Sequence, residues 1–121
     1  MTAAKAPKTP PGLAVAGRKL WRSVTDVYDL EVYEEALLLQ ASRCADYCDK
    51  LAAEAARGPV TLLNHRGDPA ASPAMVEARQ QSITLTRLLA SLRLPAGEEF
   101  GDARPQRRGA ARGSYGIRGV V

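Results

Sequence analysis

Apolar positions in this chain recur at helical spacing, and they do so in three blocks. In the first, over residues 14–28, Gly17, Trp21, Val24 and Tyr28 follow at intervals of four, three and four, so they share one helix face. Leu20 and Val27 widen that stripe. Arg18, Lys19 and Arg22 run beside it as a cationic edge, because residues three and four apart are neighbours on a helix. The second block is the longest. Leu37, Ala41, Cys44, Cys48, Leu51 and Ala55 keep a four-three rhythm, and Leu38, Ala45 and Ala52 form a second, mostly small line at intervals of seven. Asp29 is placed to cap this helix, and Glu31, Glu34 and Glu35 fall in its opening turns, where the helix dipole favours anions. Arg57-Gly58-Pro59 stops it. About 26 residues at ~1.5 Å rise give nearly 40 Å of helix. Two apolar lines imply more than one neighbour, and self-association is a natural way to cover the second.

The third block begins at Ser72-Pro73, an N-cap followed by proline at the first helical position. Ala78, Ser82, Leu85, Leu89 and Leu92 share a face, broadened by Val76, Ile83 and Leu88, and Leu94-Pro95 ends the helix. Between the second and third helices, Val60 to Leu63 favours extended structure and Arg66-Gly67-Asp68 forms a turn. A short hairpin or an extended loop fits there, with Pro69 weakening any returning strand. The expected fold is mainly α: a three-helix core with a long central helix, that hairpin or loop, and flexible basic termini.

Composition narrows the class. A chain of 121 residues with 45% hydrophobic content suits one small domain. No apolar run approaches the ~20 residues of a membrane helix. Residues 1–11 are Ala/Pro/Lys-rich and lack the apolar stretch of a secretory signal.

Charge changes the picture more. The net +4 resolves into residues 1–25, with Lys5, Lys8, Arg18, Lys19 and Arg22 and no acid, and residues 104–121, with Arg104, Arg107, Arg108, Arg112 and Arg118 and no acid. All 13 acids lie between them, so the middle is acidic. Three regions follow: a basic Pro-rich arm over 1–12, a helical core and oligomerisation domain over 13–95, and a flexible Arg/Gly-rich tail over 96–121. Basic ends on a folded unit serve either to meet a polyanion or to keep the chain soluble. The tail turns apolar again at Tyr115, Ile117, Val120 and Val121, a pattern suited to a docking peptide.

No catalytic set emerges. Cys44 and Cys48 fall short of the four ligands of a structural zinc site, and His65 is the single histidine, so the cysteines read as small core residues and His65 as an exposed loop residue. Adjacent glutamates at 34–35 and 98–99 do not face one another and read as solvated helix surface and tail. No phosphate-binding loop is present. Trp21, flanked by Arg18 and Arg22, has the company of a base-stacking residue but the position of a core anchor. The expectation is a protein without catalytic residues, metal or cofactor.

The order of segments resembles a known family. A basic, Pro-rich lead precedes Gly17-x3-Trp21-x6-Tyr28, then an acidic helix start with Leu37-Leu38-Leu39 and Cys44-Ala45-Asp46. The Gly67 loop leads to Ser72-Pro73-Ala74, and the last helix closes on Arg87 to Leu94. Over residues 12–95 this is similar to the short helical small subunits of tailed-phage terminases, with Ser72 where that family often has histidine. The resemblance implies a non-enzymatic role in the bacterial host cytoplasm. Such subunits form homo-oligomeric rings, bind double-stranded DNA at the packaging-initiation region and recruit the large terminase subunit. Lys5, Lys8, Arg18, Lys19, Arg22 and the five tail arginines then become DNA-binding candidates from their charge and position. Tyr115, Ile117, Val120 and Val121 become candidates for docking the large subunit. The rival readings are a small helical nucleic-acid-binding regulator and a structural assembly protein whose arms touch no nucleic acid.

Overall fold

Three helices carry the chain, in the order the apolar spacing predicts. The structure, a computed structural model, describes residues 5–94 and the short segment Gln106–Arg107. Its elements are α1 (Val15–Thr25), β1 (Tyr28–Asp29), α2 (Val32–Arg57), β2 (Thr61–Leu63), β3 (Pro69–Ala71), α3 (Pro73–Leu92) and β4 (Gln106–Arg107).

The helix ends correct two expectations. Tyr28 does not complete the α1 stripe, because α1 stops at Thr25 and Tyr28 lies in β1. The Val27 N–H bonds the Val24 carbonyl at 3.1 Å, a three-residue step that tightens the last turn, and β-branched Val24, Thr25 and Val27 favour leaving the helix. Asp29 is not the cap of α2 either. Glu31 holds the extended cap position, its N–H donates to Glu34 Oε1 at 2.7 Å, and its own side chain accepts the Glu34 N–H. This reciprocal capping box withdraws Glu34 from water: it is 4% exposed, not the solvated surface group its acidic neighbourhood predicts.

α2 and α3 run antiparallel. Cys48 Sγ lies 3.9 Å from Ser82 Oγ midway along the pair, and Leu38 near the start of α2 shares a cluster with Leu92 at the end of α3. Every member of the α2 four-three line is buried or half-buried. The second line divides. Leu38 is fully buried against Leu13, Trp21, Val24 and Leu92 within the same chain, so its cover is α1 rather than a second copy; Ala45 is half-buried and Ala52 exposed. The core therefore occupies one end of the helical pair, where α1 provides a third layer. Beyond it, residues 52–69 are exposed except for half-buried Ala55.

The segment between α2 and α3 is a hairpin. β2 and β3 pair antiparallel, Thr61 with Ala71, Leu62 with Ala70 and Leu63 with Pro69. Pro69 is tolerated because it is the first residue of its strand. Asn64 shapes the loop: its Oδ1 accepts from the Arg66 and Asp68 N–H groups at 2.8 and 3.0 Å, and Gly67 supplies the positive φ of 85°. The lead is extended, as proline predicts, but Pro7, Thr9 and Pro10 are half-buried, so residues 5–12 lie along the body rather than apart from it. A second two-stranded ribbon joins β1 to β4, with Tyr28 opposite Arg107 and Asp29 opposite Gln106. Gln106 and Arg107 are the residues of the expected tail that the structure describes, and their backbone pairs with β1; the rest of that tail lies outside the described residues.

Candidate nucleic-acid interface

The orientation of α1 decides which of its residues face water. Its first turn has no acidic residue and no cap of its own, since Ala14 holds the cap position. α2 supplies one instead. Asp46 Oδ2 accepts the Ala14 N–H at 2.7 Å and Asp46 Oδ1 accepts the Gly17 N–H at 2.7 Å, so one carboxylate satisfies two orphan donors at the positive end of the helix. Asp46 is 6% exposed while it does so. Glycine at position 17 permits the approach: a Cβ there would stand 2.7 Å from the Ser42 carbonyl.

Pinned in this way, α1 buries Gly17, Trp21, Val24 and Thr25 and turns Val15, Arg18, Lys19, Arg22 and Ser23 outward. Those five outward residues line one shallow hollow. Among the described residues no carboxylate forms an ion pair with Arg18, Lys19 or Arg22; the ion pair present is the exposed Arg57–Glu54 contact at 3.6 Å on α2. Arg18 is partly committed, its Nη1 donating to the Leu13 carbonyl at 2.6 Å across the start of the helix. Lys19 and Arg22 are exposed on the face. Here three cations stand on a rigid helix, with exposed Val15 one turn ahead of Arg18 and Lys19. The arrangement suits a row of phosphates, which need donors and positive charge at fixed positions rather than a deep cavity.

The remaining candidates separate. Lys5 and Lys8 are exposed on the lead. Arg104, Arg108, Arg112, Arg118, Tyr115, Ile117, Val120 and Val121 lie outside the described residues. Trp21 is 3% exposed in the core, so the indole offers no face for stacking, and among the described residues its Nε1 has no hydrogen-bond partner. His65 is exposed in the hairpin loop. Cys44 and Cys48 are free thiols on the buried side of α2, and burial, with Cys48 nearby, pushes the Cys44 thiol above its ordinary pKa. Among the described residues no three His, Cys, Asp or Glu side chains gather as metal ligands, and no helix is long and apolar enough to cross a membrane.

Sequence reasoning passed over Asp46 and the tail strand. Asp46 carried a signal: it follows Ser42 by one turn on a helix whose neighbouring line is apolar. Comparison with protein-family models, curated proteins and solved structures returns no match for this chain.

Proposed function

We propose that this protein is a non-catalytic DNA-packaging adaptor of the small terminase subunit kind, which binds double-stranded DNA and recruits a large subunit. The observation that carries the DNA-binding part is the outward face of α1, where Arg18, Lys19 and Arg22 stand together without an acidic partner among the described residues, on an otherwise acidic body. The order of sequence segments supports the family. The end of the helical pair supports self-assembly, because Val60 and Leu63 are 62% and 71% exposed there and Leu62, Met75 and Val76 are also exposed.

Binding works by charge neutralisation. Each phosphate engaged by a Lys or Arg releases a condensed counterion, so affinity falls as salt rises. The rigid helix positions its cations without a backbone ordering cost, and the lead adds Lys5 and Lys8. A helical adaptor of this kind performs no chemistry itself; ATP hydrolysis and DNA cleavage belong to the recruited subunit.

Fluorescence anisotropy of the full chain on a duplex of about three helical turns tests the reading. Replacing Arg18, Lys19 and Arg22 together by alanine should weaken binding and reduce the slope of log affinity against log salt by about 0.9 for every phosphate no longer neutralised. Wild-type binding by that variant would remove the DNA-binding role from α1. Light scattering tests the assembly: several copies per particle are expected, a dimer favours the small regulator, and a strict monomer overturns the ring.

A further inference from the structure

We propose that copies of this chain join head to tail, with Tyr33 of one copy seated in the hollow at the hairpin end of the next. The inference rests on the self-assembly part of the proposed function and deepens it by naming the two surfaces that meet.

Those surfaces lie at opposite ends of α2. The hollow forms where the hairpin meets the helical pair, and Glu54, Arg57, Pro59, Leu62, Pro73 and Ala74 line it. Val60 and Leu63, close to Leu62 in sequence, are exposed. In the first turn of α2, Val32 and Tyr33 are 85% and 60% exposed. A helix advances ~1.5 Å per residue, so about 38 Å of α2 separates Val32 from Arg57. Neither surface can cover the other within one chain. Two different patches that meet only between copies make a heterologous contact, which repeats from copy to copy until a ring closes.

Charge selects this pairing over its rivals. Residues 23–42 contain Asp26, Asp29, Glu31, Glu34 and Glu35 and no Lys or Arg. Of these, Asp26 and Glu31 are exposed and Glu35 is half-buried. Residues 55–67 contain Arg57 and Arg66, both exposed, and no acid. Head-to-tail docking therefore sets an acidic surface against a basic one, whereas two hairpin ends facing each other would bring their arginines together. Tyr47 is also exposed on α2, but Arg43 and Lys50 stand one turn to either side of it. Seating Tyr47 in the hollow would carry those cations toward Arg57 and Arg66. Tyr33 is the tyrosine with the matching surroundings.

The hollow has the chemistry to hold a phenol. Pro59, Leu62, Pro73 and Ala74 give it an apolar wall, Arg57 offers a guanidinium to the face of the ring, and Glu54 offers an acceptor to the phenol O–H. Arg57 and Glu54 pair with each other at 3.6 Å with both side chains mostly exposed, so their contact contributes little to the fold and both can turn to a partner. An aromatic anchor beside an arginine, ringed by smaller apolar contacts, is the composition of an interface centre.

The test breaks each surface separately and then mixes the halves. Tyr33→Asp spoils the first turn of α2, and Arg57→Glu with Arg66→Glu reverses the charge of the hairpin end. All three positions are exposed, so helical circular dichroism and thermal unfolding should stay at wild-type values. By light scattering, wild type should form particles of several chains and each variant alone should fall to the mass of one chain. An equimolar mixture should rise to the mass of two chains and stop there, because one intact pair of surfaces remains. Wild-type particle size in Tyr33→Asp, or a mixture that stays at the mass of one chain, overturns the head-to-tail contact while leaving self-assembly standing. Wild-type protein at the mass of one chain overturns self-assembly itself.

Discussion

Asp46 on α2 and Gly17 on α1 are joined by a hydrogen bond of 2.7 Å, and together they fix how the first helix sits on the second. The carboxylate caps α1 from a different element, and the missing Cβ of glycine lets the two backbones meet near the Ser42 carbonyl. The outward direction of Arg18, Lys19 and Arg22 follows from this contact, so the candidate DNA face depends on residues that never touch DNA.

Gly17→Ala should therefore destabilise the fold. The added methyl would stand 2.7 Å from the Ser42 carbonyl, so the helices must separate, at a cost of about 1–3 kcal/mol typical of overpacking. Asp46→Ala should cost about 1–2 kcal/mol by leaving two helix donors unsatisfied. Urea unfolding of both variants and of the double variant measures this. The double should lose less than the sum, because separating the helices already weakens the cap.

Trp21 gives a spectroscopic prediction. At 3% exposure the single tryptophan should emit at short wavelength and resist quenching by iodide, and duplex DNA should leave its emission unchanged. Quenching on DNA addition would place the indole in contact with bases. Trp21→Ala should cost about 3–5 kcal/mol. Trp21→Phe should cost much less, because the indole N–H it removes has no partner among the described residues.

How far the sequence revealed these contacts depended on their range. Leu37, Ala41, Cys44, Cys48 and Leu51 were legible because a helix repeats its environment every turn, and one face of α2 is covered along that line. Glu34 misled, since an acid in the first turn reads as a dipole partner in water, whereas reciprocal capping with Glu31 buried it. Asp46 caps donors 29 and 32 residues away, and no local pattern encodes that pairing. β1 and β4 have two residues each, too short for any alternation to appear. On the candidate site, the cationic row of α1 was readable as an edge. Its exposure, and its lack of acidic partners among the described residues, needed the helix orientation.

The two thiols should react in a fixed order. Cys44 is buried and its pKa is raised, chiefly by desolvation, whereas Cys48 is half-buried at the boundary with α3. Alkylation of the folded protein followed by mass spectrometry should label Cys48 first and Cys44 only on opening. The raised pKa also sets a sign for stability. The folded state holds the Cys44 proton more tightly than the unfolded chain does, so stability is full below the ordinary thiol value and declines as pH rises through and above it. Cys44→Ala should flatten that alkaline decline in a pH series of thermal unfolding.

The hairpin end offers the last prediction. Leu63 is 71% exposed on β2 and contributes little to the core, so Leu63→Asp should shift unfolding by no more than about 0.5 kcal/mol. Its apolar neighbours Val60, Leu62 and Met75 are exposed at the same end of the helical pair. If copies of the chain join through this end, a carboxylate buried there without a partner should weaken association strongly, because a charge taken out of water unpaired costs several kcal/mol. Light scattering of Leu63→Asp should then show smaller particles than wild type at equal concentration, with helical content preserved. Unchanged particle size would move the interface elsewhere, and the exposed Val32 and Tyr33 at the start of α2 would be the next surface to charge.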